Sequence, residues 1–318
     1  MREGACAHEQ REMAAGRSGN RGSHAAGCCP DEIADCKSLP GWRDFVVMGR
    51  QKKDRASDCL RIELPAKPHE LAAGKLVSAK ELLDDLPVRN PGKIVCLGLN
   101  YVAHAKEGVY SSVPLPEHPS LFLRSRSSLA PHEAAIERPL CSDKLDFEAE
   151  LVAIIGRGVR HATPDTALQA VAGYACFNDG SLRDYQRRTT QWTMGKNFDR
   201  TGGFGPWMVT SDELPPGATG LRIACRLNGA TMQSDNTSNM IFSVAATIVS
   251  ITEGMTLEPG DLVVMGTPSG VGYARAEPVF MKDGDVVEIE IEGIGTLRNP
   301  IRDEVADGSV EIRGAPHA

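Results

Sequence analysis

No stretch of the sequence approaches the roughly 18 consecutive apolar residues that a membrane-spanning helix needs. The N-terminus also lacks the charged start and apolar stretch of a secretory signal. A cytoplasmic protein with no membrane partner is the resulting expectation. Positive charge is not in excess either: 35 Lys and Arg stand against 42 Asp and Glu, a formal net charge of −7. That balance argues against nucleic acid as a partner, because phosphate binding wants a concentrated basic surface. The basic run Lys52-Lys53-Asp54-Arg55 is short, broken by an acid, and reads as a solvated loop. No C-x-x-C pair organises the nine cysteines, so Cys6, Cys28, Cys29 and Cys36 are weak candidates for a zinc site with His8 and His24. Cys96, Cys176 and Cys225 sit among apolar residues, as buried free thiols do in a reducing compartment. A glycine-rich phosphate turn between strand and helix is missing, which counts against a dinucleotide-dependent oxidoreductase. No repeat recurs at a fixed period.

With 318 residues, 41% hydrophobic and 24% charged, the chain has the make-up of an ordinary globular protein. Residues 1–40 are rich in Ala, Gly, Arg and Ser without either apolar period, and are expected to form a disordered tail. A small N-terminal module over 41–92 follows. It begins at Phe45-Val46-Val47-Met48 and ends in a helix with Ser78 and Glu81 as its capping box, before the Asn90-Pro91-Gly92 turn. From Lys93 the pattern changes to short apolar or alternating strands: Ile94–Leu97, Leu121–Leu123, Leu151–Ile155, Tyr174–Phe177, Leu221–Leu227, Leu262–Met265 and Val286–Ile291. One helix is expected from Thr163-Pro164, and another from Ser243 to Glu253 with Gly254 as its stop. Asn228-Gly229 between strand-like runs is a two-residue hairpin signal. Many strands and few helices, without regular βαβ units, predict a β-rich α+β fold, with 93–304 as the main domain and 305–318 as a C-terminal tail.

The candidate chemistry lies in a few clusters. On a strand, Glu148 and Glu150 of Asp146-Phe147-Glu148-Ala149-Glu150 would share one face, roughly 6.5–7 Å apart along the chain. A divalent cation between them would relieve both repulsion and desolvation; the alternative is an acidic face turned to water. Asp179 follows the apolar run ending at Asn178, where it could be a third ligand or a loop residue satisfying backbone donors. A helix is expected from Ser181 with Asp184 in its capping box, which would put Arg183 and Gln186 on one face. Three carboxylates with no His or Cys ligand describe a site for magnesium, manganese or calcium. His104 and Glu107 would be neighbours on a helical turn, as a general base needs, although such pairs are also common on exposed helices. The glycines of Gly266-Thr267-Pro268-Ser269-Gly270-Val271-Gly272 could let backbone N–H groups line an anion site. Lys196 stands in a stretch otherwise poor in charge.

Taken in order, these segments resemble the fumarylacetoacetate hydrolase family over about residues 93 to 300. The likeness rests on Gly98–Glu107, Leu121-Phe122-Leu123-Arg124, Asp146–Glu150, Asn178–Gln186, Lys196-Asn197-Phe198-Asp199, Asn228-Gly229 with Gln233, Pro259-Gly260-Asp261 and Gly266–Gly272. It implies a mixed β-sandwich roll, a homodimer, and a Mg²⁺ or Mn²⁺ ion (Ca²⁺ as the third choice) on Glu148, Glu150 and Asp179. It also places His104 and Glu107 on a short lid helix, makes Lys196 the active-site lysine, and gives Arg183, Gln186 and Thr267 substrate contacts. Arg124 stands where many relatives carry Lys, and Gly180 and Leu182 depart from the family's Asp-x-Ser-x-Arg-Asp pattern. These departures are expected to bear on substrate shape rather than on metal chemistry.

The activity expected first is C–C bond hydrolysis of an acylpyruvate-like 1,3-diketo acid, as in aromatic-compound catabolism, with His104 activating water. The alternative is a decarboxylase, isomerase or tautomerase acting on oxaloacetate or a dienoic diacid. A third reading is a metal-binding homologue without catalysis. All take a small 2-oxo acid or its analogue as the partner of the site.

Overall fold

The computed structural model describes residues 85–108, 112 and 114–306, together with three earlier strand segments. Those segments are β1 (Val47–Met48), β2 (Asp58–Leu60) and β3 (Leu76–Ser78). Then come β4 (Ile94–Gly98), β5 (Ser120–Arg124), β6 (Leu129–Ala130), β7 (Ile136–Arg138), β8 (Leu145–Asp146) and β9 (Ala149–Ile155). The remaining strands are β10 (Val171–Asp179), β11 (Ser181–Leu182), β12 (Gly202–Thr210), β13 (Arg222–Leu227), β14 (Ala230–Asn236), β15 (Leu262–Val264), β16 (Val286–Ile291) and β17 (Gly295–Asp303). The α-helices are α1 (Val102–Ala105), α2 (Arg183–Gln186), α3 (Thr193–Lys196) and α4 (Val244–Gly254). The expected N-terminal tail, residues 307–318 of the C-terminal one, the helix after Ser78 and the cysteine cluster before residue 40 lie outside the described residues.

A larger mixed sheet runs in the order β1-β12-β10-β9-β15-β4-β5, with β6 also beside β12. A smaller sheet runs β14-β13-β16-β17-β7, antiparallel except for the β17–β7 pair. The fold is the β-rich α+β type that the strand pattern predicts. Strand β16 shows why the sheets stack. Val287, Ile289 and Ile291 alternate inward, while Glu288 and Glu290 stay half-buried on the other face beside Arg226 and Arg298. Its apolar face joins Leu151, Ala153, Tyr174 and Cys176 of the larger sheet in one core.

Strand β9 is buried on both faces, as a near-continuous apolar run should be. Leu151, Ala153 and Ile155 enter the core between the sheets; Val152 and Ile154 enter a second core with Cys96, Phe177, Phe204 and Val264. The strand period of two therefore puts Glu148 and Glu150 on the second-core side.

Helix α4 forms as its sequence predicts. Ser243 Oγ accepts from Ala246 N–H at 3.2 Å, and Val244, Thr247, Ile248, Ile251 and Thr252 form one buried stripe. The helix stops at Gly254. Asn228 and Gly229 take φ of 52° and 79°, the left-handed pair that a tight hairpin turn requires.

Two expected helices are absent or displaced. Thr163–Thr166 closes only one turn, with Ala167 N–H donating to Thr163 O at 2.9 Å, before a 3₁₀ segment over Ala167–Ala170. Pairing of Val171 with Ile155 then takes the chain into β10, which leaves no length for a helix. Ser181 is likewise drawn into β11 by pairing with Asp146, so α2 starts at Arg183. Ser181 Oγ donates to Asp179 O at 2.7 Å, and Asp184 Oδ1 accepts from Tyr185 N–H instead of capping the helix.

His132 ties the second sheet to the loop before β7: its Nδ1 accepts from Arg298 N–H at 3.0 Å, so the proton of the neutral ring sits on Nε2. Burial lowers its pKa from 6.5, and Arg298 adds to this against the opposing pull of Glu133. A folded pKa below the unfolded one contributes stability above about pH 6.5 that is lost as pH falls. His132→Asn keeps an acceptor but cannot titrate. The melting temperature of the wild type is expected to drop more than that of the variant between pH 7.5 and 5.5, and equal drops would remove His132 from the acid sensitivity.

Candidate active site

Register builds the site. Glu150 pairs with Phe177 across β9 and β10, and Asp179 lies two residues beyond Phe177 on the same face. Glu148, just before β9, donates its N–H to Asn178 Oδ1 at 3.0 Å, and its carbonyl accepts from Asp179 N–H at 3.0 Å. Oxygens of Glu148, Glu150 and Asp179 consequently lie within 4.8 Å of one another. All three residues are buried, at 4%, 1% and 0% exposure, so the reading of an acidic face turned to water does not hold. Nor is Asp179 a loop residue capping backbone: its carboxylate faces the Arg124 and Lys196 cations.

Three cations surround this cluster. Lys196, at the end of α3, places Nζ 2.6 Å from Glu148 Oε2 and 2.5 Å from Asp179 Oδ2. Arg183, which opens α2, reaches Glu148 Oε1 with Nη2 at 2.7 Å and Asp146 Oδ2 with Nε at 2.8 Å. Arg124, at the end of β5, pairs with Asp179 Oδ1 and also donates to Gly180 O, Thr201 Oγ1 and Ser128 Oγ. Four buried carboxylates, counting Asp146, thus meet three buried cations.

The mismatch falls on Glu150. It accepts from Gly266 N–H at 2.6 Å, and among the described residues no cation pairs with it. Burial, then Asp179 and Glu148, push its carboxyl well above the usual carboxylate range. At Glu148 burial pushes the same way, but Lys196 and Arg183 outweigh it and hold the group below that range. Burial would lower the Lys196 ammonium, yet Asp179 and Glu148 raise it. Buried oxygen donors with one carboxylate left unmatched are a fitting set for a hard divalent cation, and Glu148, Glu150 and Asp179 are the residues that would hold it.

Helix α1 carries His104, with Nδ1 3.0 Å from Glu107 Oε2. Glu107 is itself held, since its Oε1 accepts from Gly270 N–H at 2.9 Å. The pair is therefore a fixed unit joined to the Gly266–Gly272 loop. The N–H groups of its three glycines turn to the protein's own carboxylates rather than to a ligand anion, unlike the sequence reading. Gly266 donates to Glu150, Gly270 to Glu107, and Gly272 and Tyr273 to Asp146. Gly270 has φ of 100°, and a Cβ there would come within 2.4 Å of Met232 O.

A pocket opens above these groups. His104, Glu148, Glu150, Arg183, Gln186, Lys196 and Thr267 line it, with Leu97, Leu99, Phe122 and Trp192 as an apolar wall. Glu107 and Asp179 stand behind the lining. Gln186 Oε1 accepts from Arg183 Nη1 at 2.9 Å, so the two meet as their spacing predicts. Thr267 Oγ1 accepts from Gln233 Nε2 at 2.8 Å, and Gln233 is anchored by Ala149 N–H and Pro268 O.

Sequence reasoning gave Asp146 and Gln233 no role, though both are buried struts of the site. Asp146 was detectable, because it precedes Glu148 by two residues and so shares its strand face. The expectation for the departures also changes. Arg124, Gly180 and Leu182 do not line the pocket. Arg124 grips the carboxylate of Asp179, a Cβ on Gly180 would meet Thr201 O at 2.0 Å, and Leu182 is core. They shape the frame behind the acidic cluster rather than the substrate space.

Comparison with known proteins agrees with this fold. The profile of the fumarylacetoacetate (FAA) hydrolase C-terminal domain matches residues 93–302. A mitochondrial oxaloacetate tautomerase of Homo sapiens is 36% identical over 259 residues, 81% of this chain and 78% of that protein. The structure of a 2-hydroxyhepta-2,4-diene-1,7-dioate isomerase from Mycobacterium marinum superposes with a TM-score of 0.62 at 33% identity, covering 78% of this chain and 88% of that one. A fumarylacetoacetate hydrolase from Exiguobacterium antarcticum superposes with a TM-score of 0.63 at 36% identity, covering 73% of this chain and 79% of that one. With the profile spanning most of the chain, this protein belongs to the fumarylacetoacetate hydrolase family.

Proposed function

We propose that the protein is a divalent-metal-dependent tautomerase or isomerase of a small 2-oxo acid, moving a proton between carbon and oxygen. The observation that carries this reading is the fixed His104–Glu107 pair, whose imidazole lines the same pocket as Glu148 and Glu150. C–C hydrolysis ranked first in the sequence reading. The oxaloacetate tautomerase and dienedioate isomerase among the relatives favour proton transfer instead. The same dyad suits that chemistry, since it can take a proton from carbon as readily as from water.

A divalent cation held by Glu148, Glu150 and Asp179 supplies Lewis-acid polarisation of a carbonyl. The protein's own groups move the proton. With Nδ1–H donated to Glu107, the Nε2 lone pair of His104 is available as a base. It takes the proton from the carbon next to the 2-oxo group. The C–H pair becomes the new C=C bond, the carbonyl pair moves onto oxygen, and Lys196 delivers the proton there. Asp179 and Glu148 keep Lys196 charged until it does so. Arg183, Gln186 and Thr267 orient the acid, and the Phe122–Trp192 wall excludes water.

Decay of the enol absorbance of oxaloacetate, followed with and without magnesium, tests the reading directly. Metal-dependent acceleration is expected, and His104→Ala is expected to lower kcat by roughly 10²–10⁴-fold. Unchanged turnover in that variant would remove His104 as the base. Release of pyruvate and a matching acid from acylpyruvates, without enol decay, would restore C–C hydrolysis.

Glu150→Gln tests the charge imbalance separately. Removing the unmatched carboxylate is expected to raise the melting temperature of the metal-free protein and to abolish the further rise that magnesium or manganese produces in the wild type. A variant that melts lower without metal, or keeps the metal response, contradicts the assignment.

A further inference from the structure

Resting on the proposed reading of this pocket, we infer that Arg187 selects the substrate by binding a second, distal carboxylate, which makes the preferred substrate a dicarboxylic 2-oxo acid. Three observations converge on it. Arg183, Gln186 and Arg187 stand at i, i+3 and i+4 around α2 and its C-terminal residue, so one helical face delivers all three. All three line the pocket, and of the three Arg187 alone is exposed to solvent.

The second observation is charge. Arg183 is committed to Asp146 and Glu148, Lys196 to Glu148 and Asp179, and His104 to Glu107. Among the described residues no carboxylate pairs with Arg187, so it is the cation of the lining left to meet an anion from solution. The third is pre-organisation. The Arg187 guanidinium lies 4.2 Å from the centre of the Tyr273 ring, and that of Arg183 lies 4.5 Å from the same ring. Stacking restrains the planar group while leaving its edge N–H donors available, the geometry that grips a carboxylate through two parallel hydrogen bonds. A monocarboxylic substrate would leave this donor set facing water.

Oxaloacetate and its 4-methyl ester differ in the distal charge while sharing the 2-oxo acid head. Dissociation constants by calorimetry and kcat/KM for both are to be measured on the magnesium-loaded wild type, Arg187→Gln and Arg187→Lys. Loss of one charge-assisted pair corresponds to roughly a 10- to 100-fold change, so the wild-type preference for oxaloacetate over the ester is expected to shrink by about that factor in Arg187→Gln. Arg187→Lys is expected to fall between, because a point charge replaces a two-pronged donor. Equal losses for both compounds, an unchanged preference, or no binding of oxaloacetate by the wild type would each overturn the assignment. Calorimetry needs no turnover. Discrimination in binding that is lost in Arg187→Gln, with no enol decay in any variant, would sustain Arg187 and sink the tautomerase reading. Enol decay with an Arg187-independent preference would do the reverse.

Discussion

The site depends on a charge mismatch held away from water. Asp146, Glu148, Glu150 and Asp179 are buried with Arg124, Arg183 and Lys196, and the sum leaves one carboxylate without a partner. A buried carboxylate in that position is costly, and a single Gly266 N–H does not offset it. The arrangement could hold a divalent ion, whose charge would match that carboxylate. Arg124 and Lys196 limit the repulsion that would otherwise spread the three candidate ligands apart.

Holding such a cluster requires a rigid frame, and the two cores provide it. The face of β9 that carries Glu150 continues as Val152 and Ile154, both in the second core, and its other face packs between the sheets. A slip of one residue between β9 and β10 would turn Glu150 or Asp179 away from the other, at the cost of exposing apolar side chains on both faces. Apolar packing thereby sets the separation of the carboxylates. Asp146 extends the frame sideways by binding Gly272 N–H, Tyr273 N–H and Arg183 together. One buried carboxylate thus couples the glycine loop, Tyr273 of the pocket lining and helix α2.

The glycine loop and helix α1 are joined in the same manner. Glu107 bridges the imidazole of His104 and the N–H of Gly270, which ties the His104 ring to the loop. A glycine-rich loop suggests anion binding because its N–H groups are free to converge. Here they converge on the protein's own carboxylates. The loop acts as scaffolding for Glu150, Glu107 and Asp146.

The sequence by itself determined the elements whose signals are local. The alternation of Val286–Ile291, the Asn228-Gly229 turn, the Ser243 cap and the spacing of Glu148 and Glu150 each depend on backbone geometry within a few residues. The motif order identified the family and pointed to nine candidate site residues, seven of which line one pocket. Tertiary structure decided what depends on partners distant in the chain. It replaced the helix at Thr163 with a single turn because β10 had to pair with β9, and it moved the start of α2 because Ser181 pairs with Asp146. It also showed that Arg124 serves Asp179, that the loop's three glycine N–H groups are taken, and that Arg187 alone among the lining cations has no carboxylate among the described residues. The physical reason is common to all of these: propensity and period act over neighbouring residues, whereas pairing, burial and charge balance are settled between segments that meet only when the chain has folded.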